Sequence, residues 1–209
     1  MKKDTFQKLE KLPFFTLDTL RSQLGKNPLP TVKYNIKVGK IVRLKRGVYV
    51  TEEFVKKVKY QGKLENYLEF LATRLLAPSY LSLEYMLSKY AILTESPFTL
   101  TLVTLKTPRI VKNSLATFTY SNIKEELFCG FYFVRKSNFE IKYATKAKAL
   151  FDFLYLKKRV LKVINKEVLK ELRLNLEELK KSDWEEFENY LFLSKSYKME
   201  RIFRLLKKL

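Results

Sequence analysis

The residues of this sequence best suited to chemistry are cations set among aromatic and amide side chains near the N-terminus. Lys33, Lys37, Lys40, Arg43, Lys45 and Arg46 fall within fourteen residues, with Thr31, Tyr34 and Asn35 among or beside them. Lysine and arginine neutralise phosphates and release counterions, which supplies affinity for nucleic acid. Tyr34 and Asn35, with Thr31 and Lys33, are of the types that reach base edges, which supplies specificity. A second constellation is Glu140-Ile141-Lys142, the Glu-x-Lys half of a metal-dependent nuclease site. Such a site needs an upstream acidic ligand for Mg²⁺. No Asp lies between Asp18 and Asp152, and only Glu125 and Glu126 are near enough to substitute. A charged pair on an exposed strand face is the preferred reading of Glu140 and Lys142, so no catalytic residue, metal or cofactor is expected.

Other chemistries are excluded by composition. Histidine is absent and Cys129 is the single cysteine. No Ser-His or Cys-His nucleophile pair, no His/Cys zinc site and no intrachain disulfide can be built. Gly39 and Gly47 form neither a GxGxxG run nor a P-loop. Cys129 lies between Phe128 and Gly130-Phe131 and reads as an inert buried thiol. Asp152 reads as structural, accepting from Thr145 or a tail lysine.

The elements that must position the cations follow from spacing. Phe6, Leu9 and Leu12 recur at helical intervals over Asp4–Leu12, closed by Pro13. Leu17, Leu20 and Leu24 mark a second helix, capped by Thr16, with Asp18 in its first turn and Gly25 as its stop. Asn27-Pro28 opens a third helix. Val32 and Ile36 face inward there, Lys33, Tyr34 and Lys37 face outward with Asn35 nearby, and Gly39 ends it. Lys40–Val50 is β-branched and aromatic on both sides of Lys45-Arg46-Gly47, a hairpin with a basic tip. Three short helices and a basic hairpin make a winged helix-turn-helix. Its third helix would enter the major groove, and its wing would bring Arg43, Lys45 and Arg46 to phosphates or the minor groove. This picture requires the hairpin and the helix before it to grip a duplex side by side. A hairpin tucked against the protein body would undo it.

Residues 51–63 read as a strand end and a connector. Leu64–Leu76 and Leu83–Tyr90 read as core helices, the second with Ser82 as its cap. From Phe98 the period changes to two, with strands expected at 98–105, 117–120, 130–134 and 139–143. Helices resume at Thr145, then at 166–173, 183–193 and 197–208. The fold class is therefore α+β: an N-terminal winged helix over 1–60, then a mixed helix and four-stranded-sheet domain over 64–209 with a helical tail.

With 209 residues the chain can bury a core without staples. It carries 42 Lys and Arg against 22 Asp and Glu, a formal charge of +20, which calls for an anionic partner. Residues 1–60 hold 15 cations against 5 anions, 61–160 hold 15 against 8, and 161–209 hold 12 against 9. An overall compositional bias would spread the excess evenly, whereas this gradient marks a localised electrostatic footprint. No apolar signal core and no run of 18 apolar residues occurs, so a cytoplasmic protein that does not span a membrane is expected. The 16 Phe and 13 Tyr read as filling a sheet–helix core.

The run Gly39–Tyr49 closely resembles the wing of the AbiEi-type antitoxin and transcriptional regulator family of type IV toxin–antitoxin and abortive-infection systems. Two later stretches agree: Pro78-Ser79-Tyr80-Leu81-Ser82-Leu83-Glu84-Tyr85-Met86-Leu87 and Tyr143-Ala144-Thr145-Lys146-Ala147-Lys148-Ala149-Leu150-Phe151-Asp152. The second departs from the family at Lys146 and Ala147, where Pro and Glu are usual. It keeps Lys148, Ala149, Leu150 and Asp152. The resemblance covers about residues 6–155. It implies a repressor that binds inverted repeats in the promoter of its own operon. It also implies that the chain counteracts a nucleotidyltransferase-like toxin without a stable complex, an action the family associates with its C-terminal region. Binding two repeats implies a homodimer or cooperative assembly on double-stranded DNA. The competing readings are a Mg²⁺-dependent nuclease using Glu140 and Lys142, and a winged-helix adaptor that binds protein.

Overall fold

The computed structural model describes residues 3–24, 27–159, 161 and 163–209. The chain opens with α1 (Lys3–Leu9), β1 (Phe15–Thr16), α2 (Leu17–Leu24) and α3 (Leu29–Lys37), followed by the hairpin β2 (Ile41–Lys45) and β3 (Val48–Thr51). Thr16 Oγ1 accepts from the Thr19 amide at 3.3 Å and so caps α2. Asn27 Oδ1 accepts from the Leu29 amide at 3.1 Å, and Pro28 stands at the start of α3. Gly25, the expected stop of α2, lies outside the described residues. Leu9, Phe15, Leu20, Val32, Ile41 and Tyr49 close a small core of their own. The three strands form one antiparallel sheet in the order β1-β3-β2. Gly47 has φ +80° in the hairpin turn, where a Cβ would be strained.

The hairpin is buried on both faces, because alternate residues of a strand point to opposite sides. Ile41 and Tyr49 join the small core, while Leu44 and Val50 belong to the large core of the rest of the chain. The expected hairpin that grips a duplex clear of the protein body is corrected accordingly, since one face of the hairpin is tucked against that body.

Residues 52–60 are not a connector. They form α4 (Glu52–Tyr60), with Thr51 Oγ1 accepting from the Phe54 amide at 3.2 Å. Glu52 and Glu53 lie in its first turn and Lys57 and Lys59 in its last, each sign at the end where the helix dipole favours it. Val55 and Val58 are buried.

Beyond α5 (Leu64–Leu75) lie β4 (Ser79–Leu81), α6 (Leu83–Lys89), β5 (Leu100–Thr104), β6 (Arg109–Lys112), β7 (Thr117–Asn122), β8 (Phe131–Lys136) and β9 (Phe139–Ala144). The sheet has six strands, not the four expected, in the order β6-β7-β5-β4-β9-β8. The two additions are β4, at three residues too short to show alternation, and β6, an edge strand with Arg109, Ile110 and Lys112 exposed. The β4–β9 and β5–β7 pairs are parallel and the others antiparallel. Among the described residues, α7 (Lys146–Lys157), α8 (Lys166–Lys170), α9 (Lys181–Ser194) and α10 (Tyr197–Leu206) follow, with a 3-10 turn at Leu176–Glu178 before α9. Thr145 caps α7 as expected, accepting from the Lys148 amide at 3.1 Å. The architecture is mixed α+β. Among the described residues no helix is long and apolar enough to cross a membrane.

Candidate nucleic-acid interface

The face of α3 follows from its 3.6-residue period. Val32 is buried and Ile36 half-buried against the small core, while Lys33, Tyr34 and Lys37 are exposed. Asn35 is not available to a base. It is 7% exposed, and its Nδ2 donates to the Thr31 carbonyl at 2.8 Å. An amide that returns one turn along its own helix satisfies itself locally, which corrects its expected role. Thr31 is half-buried beside it.

The hairpin divides its cations between two sides. Arg43 and Arg46 are exposed. With Lys33, Leu17, Leu29 and Tyr49 they line a groove of ≈ 400 Å³ between α3 and the hairpin, and its lining contains no carboxylate. Lys45, which follows a register shift in the β2–β3 pairing, lines only the side toward the body, whereas Arg43 and Arg46 border both sides. Lys45 Nζ donates to the Leu75 carbonyl at the end of α5, where a helix dipole favours a cation. The Lys45 ammonium, expected at a phosphate, is engaged by the protein body. Burial, with Lys106 and Arg109 close by, holds that amine below the usual lysine range. Asn113 Nδ2 donates to the Leu44 carbonyl at 3.0 Å and ties the hairpin to the body a second time.

The nine candidate residues do not share one surface. Lys33, Arg43 and Arg46 come together. Thr31, Tyr34, Asn35 and Lys40 line a different groove against α1, which also contains Glu10. Lys37 is exposed on α3 and lines neither.

Glu140 and Lys142 stand apart from any acidic cluster. Glu140 pairs with Arg74 at 3.2 Å, and the Lys142 ammonium lies 5.2 Å from the centre of the Phe133 ring. Among the described residues no group of three or more acidic or Cys side chains is placed to hold a metal ion. Cys129 is half-buried rather than buried, and burial pushes its thiol up.

Two buried polar networks escaped sequence reasoning. Asp152 is fully buried and accepts from Lys148 Nζ at 2.6 Å, Ser82 Oγ at 2.8 Å and Tyr80 Oη at 2.9 Å. Lys148, equally buried, also donates to the Leu127 carbonyl at 2.6 Å. Burial pushes the Asp152 carboxyl up, while the Lys148 ammonium and the two hydroxyls pull it back. Asp152 is thus structural as expected, but its partners are not Thr145 or a tail lysine. The i, i+4 spacing of Lys148 and Asp152 on α7 was the available signal. The second network centres on Glu69, buried on α5, which accepts from Tyr85, Lys89 and Tyr143.

No protein-family model and no curated protein matches this chain. Three stretches of the chain were quoted above for their likeness to AbiEi-type regulators. Two of them meet in space: β4 pairs with β9 through Leu81 and Tyr143, and Tyr80 and Ser82 of one stretch bind Asp152 of the other.

Proposed function

We propose that residues 1–60 act as a winged helix that binds double-stranded DNA, and that the chain is a transcriptional regulator of the AbiEi antitoxin kind rather than an enzyme. The observation that carries this reading is the carboxylate-free groove where Lys33 of α3 meets Arg43 and Arg46 of the hairpin. The order of helices, hairpin and three-stranded sheet supports it. In this reading α3 lies in the major groove with Tyr34 toward base edges, and Lys33, Lys37, Arg43 and Arg46 take phosphates. The hairpin is tucked against the body on its Leu44 face, which removes the finger that grips from both sides; the reading now rests on the α3 side alone, where Arg43 and Arg46 stay exposed beside Lys33 and the wing acts as a fixed ledge. Repression of its own operon through inverted repeats, by a homodimer or cooperative assembly, belongs to the same proposal. So does the counteraction of a nucleotidyltransferase-like toxin, for which such a gene immediately downstream is the check.

The test is duplex binding by fluorescence anisotropy over a salt series. Four phosphate contacts give log K against log salt a slope of about −3.6. A flat response refutes the DNA reading and leaves the protein-binding adaptor.

A further inference from the structure

The side of the hairpin that faces the body holds a second cationic site. Arg43, Lys45 and Arg46 from the hairpin and Arg109 and Lys112 from β6 surround a cleft of ≈ 580 Å³, with Leu75, Leu76 and Ile110 among its apolar walls. Five cations and no carboxylate line it. Among the described residues none of the five makes an ion pair. Lys106 adds to the charge, since with Arg109 it disfavours the proton on Lys45. Like charges gathered around one cavity repel, and an anion placed between them removes that repulsion. The Leu75 carbonyl, an acceptor that would oppose an anion, is already taken by Lys45. Ile110 is 68% exposed at the edge of the cleft, beside the charges, as an apolar wall for an organic group. The cleft is also of ordinary small-ligand size.

We propose that the cleft between the hairpin and β6 binds a small ligand carrying a chain of phosphates, with Arg109 and Lys112 as the residues that distinguish it from the α3 groove. The phosphates lie among Arg43, Arg46, Arg109 and Lys112, and any organic part rests on the exposed Ile110. Arg43 and Arg46 line both the cleft and the α3 groove. An occupied cleft therefore draws on the arginines a duplex would use. This last consequence, unlike the site itself, rests on the DNA reading.

The experiment is calorimetric titration of the full chain with inorganic tripolyphosphate, alongside duplex binding with the same variants. The expected result is one ligand per chain, weakened roughly tenfold or more by Arg109→Ala/Lys112→Ala. The control Lys56→Ala/Lys59→Ala removes two exposed lysines that do not line the cleft, and it should leave the affinity within about twofold. No binding, several ligands per chain, or equal weakening by the control overturns the site, because only diffuse charge would then be at work. If Arg109→Ala/Lys112→Ala weakens duplex binding as much as tripolyphosphate binding, the cleft is a nucleic-acid contact and the small-ligand assignment falls. Failure of the wild-type chain to bind any duplex while tripolyphosphate binds at the cleft refutes the DNA reading alone.

Discussion

Lys45 and Arg46 are neighbours of the same charge and both line the cleft against β6, yet only Lys45 is bonded to the body. Arg46 is exposed and free to meet a phosphate, while Lys45 is spent on the Leu75 carbonyl. Arg46→Ala should therefore reduce the salt slope of duplex binding by about 0.9. Lys45→Ala should leave the slope unchanged and lower stability by ~1.5–3 kcal/mol, the usual worth of a hydrogen bond from a charged donor. Anisotropy and urea denaturation separate the two effects. A slope change on Lys45→Ala would restore that lysine to the interface. Tyr34 belongs to the same scale. It is 65% exposed on α3, and Tyr34→Ala should weaken a specific site more than random DNA. Equal loss on both duplexes would remove base readout from that position.

At the scale of elements, two contacts at the C-terminal helices can be tested singly. Gly130, with φ +71°, sits immediately before β8, and a Cβ there would lie 2.0 Å from the Tyr190 hydroxyl of α9. Neither strain nor overlap can be relieved cheaply, so Gly130→Ala should cost about 1–3 kcal/mol or more, read as a lowered denaturation midpoint. The junction of α7 with α10 carries a pH signature. Lys158 Nζ donates to Ser196 Oγ at 2.7 Å. Burial, with Lys124, Arg159 and Lys198 nearby, lowers the amine from 10.5 to about 8. Between those values the unfolded chain holds a proton that the folded chain has released, so stability should rise with pH from about 8 upward. Lys158→Gln should flatten that rise in a series of denaturation curves, and an unchanged difference between the two proteins would show that the amine titrates normally.

At the scale of the whole molecule, the two cores share the hairpin. Leu44 is 1% exposed and packs in the large core, although its strand also helps close the small one through Ile41. The N-terminal segment and the rest should therefore unfold together, in a single calorimetric transition. Leu44→Ala should destabilise the chain by ~2–5 kcal/mol and lower that one transition. Two resolved transitions, with only the first moved by Leu44→Ala, would contradict the shared core.

Much of the fold was legible where local signals were strong. The Leu and Val spacing of α2, α3 and α5, the caps Thr16 and Thr145 and the turn at Gly47 all act within a few residues of chain, so the sequence carries them directly. The helix α4 was obscured because Val55 and Val58 stand among lysines and follow a β-branched run, which imitates a strand end. The exposed edge strand β6 has no alternation to read. Of the candidate interface, Lys33, Arg43 and Arg46 were legible as cations at helix and hairpin positions. That they share one groove was not, nor that Asn35 closes on its own helix.

What the sequence determined by itself was the cationic excess toward the N-terminus, the absence of histidine and the three helices and hairpin that carry the cations. These follow from residue types and short-range spacing. Tertiary structure alone decided that one face of the hairpin is fastened to the body. It also decided that Lys45 is spent while Arg46 is not, that β6 brings Arg109 and Lys112 beside them, and that Asp152 is held by Tyr80, Ser82 and Lys148. Apart from the Lys148–Asp152 pair on one helix, each depends on groups tens of residues apart, and their meeting is fixed by strand register and core packing rather than by any local preference.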